Sequence, residues 1–288
     1  MSERGVKVAV VVLIGALLAC KQGKKSDPQP VVSAVAIPAA PTEQAFTNLV
    51  PKPGTKVAAD RRTQTKFTMA GKVFREATTL EASFDVQASD EFRVTRGALD
   101  VKELFTVSQE GVAAEKKTVS PLAGSRYVVS RSDDGKLSAL DSSGNKAAAG
   151  QLKIIQDEFG DAFEKNQTGA FLPDRPVKIG EKLTPASDAM LRMLALKDDG
   201  NTLIDGTEFF LRSSSNDRSI FDVTLTMTQK LVGSGLRLRA KLKGTIEIQP
   251  TGTYLLAVDL KGPLMLIDGS GNEKGNGDAT IFLTQRYS

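Results

Sequence analysis

The chain has 288 residues, with 38 Lys and Arg against 34 Asp and Glu, a net charge of +4, no His, no Trp and a single Cys. The lack of imidazole and the lone thiol exclude Ser–His and Cys–His catalysis, imidazole metal sites and thiolate zinc. The near balance of charge argues against a nucleic-acid partner.

Arg4 and Lys7 precede an apolar run from Val8 to Ala19. That run is too short for a helix to cross a bilayer, which takes about 20 residues. A basic start, a short apolar middle and a small residue before the cleavage point mark residues 1–19 as a signal peptide. The run ends Leu17-Leu18-Ala19-Cys20, which resembles the lipobox of bacterial lipoproteins. The resemblance covers the first 20 residues. It implies cleavage before Cys20 and acylation of its thiol, palmitate included, so that the membrane is reached through a lipid anchor. The alternative is an ordinary secretory signal with a chance cysteine. Acyl chains contribute about 0.8 kcal/mol per buried CH₂, and more than one chain gives stable anchoring. Lys21 stands where lipoproteins retained in the inner membrane often carry Asp, which implies the outer membrane of the cell envelope, on its periplasmic or surface face. An acylated Cys20 leaves no thiol for a disulfide, so the core alone must hold the fold.

Residues 20–55 read as a lipidated N-terminus and flexible tether. Pro28, Pro30, Pro38, Pro41, Pro51 and Pro53 interrupt a stretch with no sustained apolar period, which cannot offset its ordering entropy. Lys21, Lys24 and Lys25 lie beside the anchor, where they can touch anionic headgroups or simply keep the segment soluble.

Residues 56–288 read as one β-rich domain. Six or seven strands are predicted between 64 and 141. Leu80, Ala82, Phe84, Val86 and Ala88 alternate with polar neighbours there, and Asp133-Asp134-Gly135 marks a hairpin. Leu152, Ile155, Phe159 and Phe163 then fall at helical spacing, predicting a helix over 151–165. A shorter helix is predicted over 186–196, with Ser187 or Thr184 as its cap. Between them lies FLPDRPVKIGEKL, from Phe171 to Leu183. It resembles an LPxxPVKxGxxW segment of a family of bacterial exported proteins with unassigned function. Leu172, Pro173, Pro176, Val177, Lys178 and Gly180 match, and Leu183 stands in place of the tryptophan. That family carries no established activity, so no functional residues transfer. A plain extended connector is the alternative.

The C-terminal meander is predicted over 207–287, organised about LRLRAKLKGTIEIQ at 236–249. Pairing Leu231 with Leu236 sets Leu225 opposite Leu242 and Phe221 opposite Ile246. The loop after Gln249 is expected to pair Ile248 with Tyr254, Ile246 with Leu256 and Leu236 with Leu266, placing Lys243 opposite Asp259. Strands, helices and strands again predict an α+β fold, mainly β. One large curved antiparallel sheet or half-barrel would carry two helices on its concave side.

Two features are candidate sites besides Cys20. Arg237, Arg239, Lys241 and Lys243 form a basic row, a candidate face for an anionic ligand, although a solvated sheet face is the plainer reading. Phe159 and Phe163, one turn apart, would line an apolar cavity under the helices. Two loops, Asp141 to Asn145 and Asp268 to Asn272, space oxygens as calcium loops do but lack the later EF-hand positions, so turns are expected there and no metal. No cofactor is expected. These observations point to a lipid-anchored, non-enzymatic binding or interaction module, of which a carrier of a hydrophobic ligand is one version. A structural subunit docking on another envelope protein is the alternative, and a carboxylate-based hydrolase a third.

Overall fold

The computed structural model describes residues 42–163, 169, 171–194, 200–231 and 233–288. Cys20, the lipobox, the lysines beside it, and the expected helix ends at 164–165 and 195–196 lie outside the described residues. Among the described residues, no helix is long and apolar enough to cross a membrane.

The fold is α+β and mainly β. The short β1 (Glu43–Gln44) and β2 (Thr47–Asn48) come first. Three long strands follow: β3 (Lys56–Met69), β4 (Lys72–Ser89) and β5 (Val94–Glu110). Next come β6 (Lys116–Val119), β7 (Ser125–Arg131) and β8 (Leu137–Asp141). Helix α1 (Ala149–Phe159) runs into a 3₁₀ turn, Gly160–Phe163. Strands β9 (Val177–Lys178) and β10 (Lys182–Leu183) precede α2 (Ser187–Met193). The chain ends in β11 (Thr202–Ser214), β12 (Ser219–Lys230), β13 (Arg237–Gln249), β14 (Thr251–Gly252), β15 (Tyr254–Ile267) and β16 (Glu273–Tyr287).

Twelve strands make one sheet in the order β10-β11-β12-β13-β15-β16-β3-β4-β5-β7-β8, with β6 added to β5. The first and last long strands therefore meet in the middle, β16 against β3 from Gly275↔Met69 to Tyr287↔Val57. Each half folds as a local meander, and the seam joins the two ends of the described chain. Two apolar clusters follow this division. One holds the C-terminal strands, α2 and Phe171, Val177 and Leu183. The other holds β4, β5, β7, Ile155 and Phe163.

Six strands, β3 to β8, lie between 56 and 141. The alternating run from Leu80 belongs to β4, and Val94, Leu99, Val101 and Leu104 all belong to the single strand β5, because bulges at Glu81/Ala82 and beyond Val86 keep the ladder going. The β3–β4 hairpin turns on Ala70 and Gly71, both at positive φ (49° and 75°), the geometry a two-residue hairpin requires.

The β12–β13 register is the expected one, with Phe221↔Ile246 and Leu225↔Leu242. The β13–β15 register is not. Gln249 pairs with Tyr254 and Ile248 with Leu255, one residue off the expectation. A bulge between Glu247 and Ile248 then adds a second residue, so Ile246 meets Val258 and Leu238 meets Leu266. A slip of two restores the side-chain faces, which is why the apolar pattern alone does not detect it. Lys243 consequently faces Lys261, and Asp259 faces Thr245.

The tether reading fails at its end. Residues 42–55 run across one end of the sheet as an ordered strap. Ile179 N–H donates to Thr42 O (2.9 Å), Thr47 N–H to Pro250 O (3.1 Å) and Gly54 N–H to Val86 O (2.8 Å). Phe46 lies on Phe221 with ring centroids 5.8 Å apart. One aromatic anchor and the free backbone at strand ends give this proline-rich segment the partners that its own composition lacks.

Candidate functional site

The concave seam carries a groove. Its floor is Val57, Ala59 and Arg61 of β3, Leu80, Ala82 and Phe84 of β4, and Leu283, Gln285 and Tyr287 of β16. Glu158, Phe159 and Ala162 close it on one side, Arg192 and Met193 of α2 on the other, and Pro51 of the strap lies at the end. Its volume is about 190 Å³. The cause is local and steric. Each helix fills the core of its own half, neither covers the seam fully, and Ala59, Ala82 and Ala162 stand where larger side chains would fill it. An apolar cavity of about 150 Å³ already accepts benzene, and sites for drug-sized ligands begin near 300 Å³. The groove lies between these.

One charged pair lies inside it. Arg61 Nη2 is ion-paired to Glu158, with side-chain exposures of 13% and 27%. The pair ties α1 to the middle of β3, and it neutralises a guanidinium whose isolated burial would cost several kcal/mol. Arg61 Nε is buried with no hydrogen-bond partner. Arg192 also lines the groove, held by Asp188 at 2.8 Å. At the far end Tyr254 and Tyr287 stack with centroids 4.5 Å apart, and Tyr287 Oη donates to Gln285 at 2.7 Å. Burial pushes the hydroxyls of both tyrosines up, and the neighbouring Tyr254 pushes Tyr287 further, so both stay neutral at physiological pH. The lining is therefore apolar for most of its length, with an arginine pole at one end and a phenol pole at the other.

The two phenylalanines expected to share a cavity separate. Phe159 lines the groove. Phe163 does not: it is fully buried in the N-terminal cluster, edge-on to Phe84 at 4.9 Å. The reason is the change of pitch after Phe159. The 3₁₀ turn begins at Gly160, so the spacing from Phe159 to Phe163 is no longer one α-helical turn. The tip of the Phe84 ring in turn rests on Gly97, where a Cβ would come within 2.0 Å of it.

The basic row lies on the opposite face. Leu238, Ala240 and Leu242 are buried beneath it; Arg237, Lys241 and Lys243 are exposed and Arg239 is half-buried. The row and the groove cannot touch one ligand. Thr224, Thr226 and Thr228 flank it on β12.

The two acidic loops are turns. Asp141 Oδ1 accepts from Ser143 and Asn145 N–H, both at 2.9 Å, and Asp268 Oδ1 accepts from Ser270 and Asn272 N–H at 2.9 Å. These bonds hold both carboxyls below the usual range, Asp268 at about 2 with help from Lys274. Among the described residues no group of three acidic or sulfur ligands converges on a metal position.

The LPDRPVKIGEKL stretch holds β9 and β10. Gly180 at φ 82° makes the turn between β9 and β10, and Glu181 accepts from Lys178 N–H (2.9 Å) and from Arg175. Those contacts, Arg175 first, lower the Glu181 carboxyl to about 2. Leu183, in the tryptophan position of the resembling family, is buried against the C-terminal core and pairs with Phe209. The expected cap of α2 takes another role: Ser187 Oγ accepts from Ile204 N–H at 3.1 Å, fastening the helix to β11, and Ala186 stands at the N-cap.

No family model matches the chain. No curated protein matches it either. Among solved structures, DynF from the dynemicin biosynthesis pathway of Micromonospora chersina is 12% identical over 91% of this chain and 92% of its own, with a TM-score of 0.20. A superposition that loose transfers neither residues nor activity.

Proposed function

We propose that the protein is a lipid-anchored, non-enzymatic binding module of the bacterial cell envelope that holds a small hydrophobic ligand in the seam groove. The observation behind this reading is the groove itself, apolar along β3, β4 and β16 and left open by three alanines. Cys20 would tether it, favouring the outer membrane, and the strap at 42–55 would join anchor to groove. The size of the groove limits the cargo to one short chain and argues against the several acyl chains of a whole lipoprotein or phospholipid. The test is binding of the neutral fluorophore N-phenyl-1-naphthylamine to the soluble domain. Its fluorescence should rise with the parent protein and much less with Ala59→Leu, which fills the groove. No rise, or an equal rise in the two, would overturn the proposal.

A second reading, a docking subunit, draws on the edge of the sheet. Among the described residues β10 pairs with Phe209 and Phe210 of β11, Glu181 O accepts from Leu211 N–H, Ser187 Oγ accepts from Ile204 N–H, and Leu203 beside it is 53% exposed. An edge strand covered only in part can accept an added strand along the rest of its length. A stoichiometric envelope protein recovered by crosslinking, and lost in Leu203→Lys, would favour it.

A further inference from the structure

We infer that the groove selects single-chain amphiphiles with an anionic headgroup, and that Arg61 is the residue that binds the head. This deepens the proposed function and rests on the groove holding a hydrophobic ligand at all. Charge comes first. Among the described residues, three formally charged side chains line the groove: Arg61, Arg192 and Glu158. Arg192 is ion-paired to Asp188, which is not part of the lining, and its side chain is 42% exposed, so water reaches its other N–H groups. Arg61 and Glu158 satisfy each other only in part. A guanidinium carries five N–H donors; Arg61 gives one nitrogen, Nη2, to Glu158, and its Nε is buried without a partner. A buried donor left unsatisfied is costly, and a hydrogen bond to a charged group is among the stronger ones available. A carboxylate, sulfate or phosphate monoester head in the groove supplies an acceptor for the terminal N–H groups of Arg61 that Glu158 leaves free, while Nε stays buried behind them. A cationic head would meet two guanidinium groups, and a neutral alcohol would leave Arg61 only partly paired.

Length comes second. From Arg61 to Val57 the strand advances about 13 Å at ~3.3 Å per residue, ending beside the stacked tyrosines. That is the reach of a medium acyl chain lying along β3, its head at Arg61 and its tail under Pro51 against Tyr254 and Tyr287. The tyrosines stay neutral and do not compete as anions for Arg61. Glu158 is the resident counter-ion of the empty groove: it keeps the arginine from being an isolated buried charge, and it opposes the incoming anion. Arg61 is thus the affinity determinant and Glu158 its brake.

The experiment is displacement of bound N-phenyl-1-naphthylamine by decanoate, decanol and decylamine at pH 7, for the parent, Arg61→Met and Glu158→Gln. Decanoate should displace at a concentration at least about tenfold lower than decanol, one charge-assisted hydrogen bond's worth, with decylamine weakest. Arg61→Met should erase the preference of acid over alcohol while leaving decanol displacement within about threefold. Glu158→Gln should tighten decanoate and leave decanol unchanged. Equal displacement by decanoate and decanol in the parent overturns the headgroup inference and leaves the apolar groove standing. Failure of the fluorophore to bind the parent overturns the groove itself. Should Arg61→Met fail to fold, the ligand series on the parent and on Glu158→Gln decides: weaker decanoate binding in Glu158→Gln would refute the braking role and, with it, the charge argument.

Discussion

Phe163→Ala should cost far more stability than Phe159→Ala, although the two residues are neighbours on the same helical segment. Phe163 is fully buried, and its ring meets Phe84 edge-on at 4.9 Å. Phe84 gains little by moving into the hole, because its ring fills the space left by the missing side chain of Gly97 and leaving it would open a second gap there. A cavity that cannot collapse puts the loss at the upper end of the usual Phe→Ala range of about 3–5 kcal/mol, including the ~0.5–1.5 kcal/mol of an aromatic pair. Against a typical total of about 5–15 kcal/mol that is a third of the stability or more. Phe159 is half-buried and borders the groove, so one side of its ring has no partner to lose. Its truncation removes contacts on the core side only and should cost under about 2 kcal/mol. Urea denaturation of the soluble domain, with both variants fitted at the parent's m-value, measures the two losses. Losses within about 1 kcal/mol of each other would refute the separation of filled core from groove.

Leu242→Asp should destabilise the domain by several kcal/mol, since Leu242 is fully buried opposite Leu225, whereas Lys241→Glu on the exposed face should stay within about 0.5 kcal/mol; similar urea midpoints would refute the face assignment. The Asp268 carboxyl, held at about 2 against an ordinary ~3.9, supports its loop fully above about pH 4 and loses that contribution as pH falls through about 2. Amide exchange at Ser270 and Asn272, corrected for intrinsic rates, should therefore accelerate across that window in the parent and show no such step in Asp268→Asn. Cys20→Ser should abolish metabolic labelling by an alkynyl fatty acid, and equal labelling of variant and parent would sink the lipid anchor.

The legible parts of this fold are those set by one-strand patterns. Phe221, Val223, Leu225 and Met227 alternate in the sequence and are all buried, and a turn of the expected reach fixes β12 on β13. Pairings that depend on a bulge are not legible. The extra residue at Glu247/Ile248 moves the β15 register by a further residue, preserving every face and changing every charged neighbour, so Lys243 meets Lys261 instead of Asp259. The seam is illegible for another reason: it joins β3 to β16 across almost the whole chain, and no local signal announces that partnership. The groove follows from the seam, so Ala59 and Glu158 have nothing in their own sequence contexts to distinguish them. Arg61 does carry one faint trace. It occupies the same strand face as Thr63, Thr65 and Phe67, all of them buried, and a charged residue in phase with core positions is a signal that can be sought.

If the groove is kept open for a ligand, the empty protein should be less stable than its sequence could make it. Ala59 faces the void between Arg61 and Val57, flanked by Gln285 across the strand pair. Ala59→Leu adds apolar atoms to space that is already walled, at about 0.8 kcal/mol per buried CH₂, so a gain of about 1–2 kcal/mol is expected in ligand-free protein. Stabilising substitutions that cost function are the common pattern where a site must stay open. The same variant should lose fluorophore binding, and the two effects must appear together. A loss of more than about 1 kcal/mol would mean that the added side chain overpacks the seam, as it would in a closed core, and that the space bordered by Phe159, Ala82 and Leu283 is not available to a ligand.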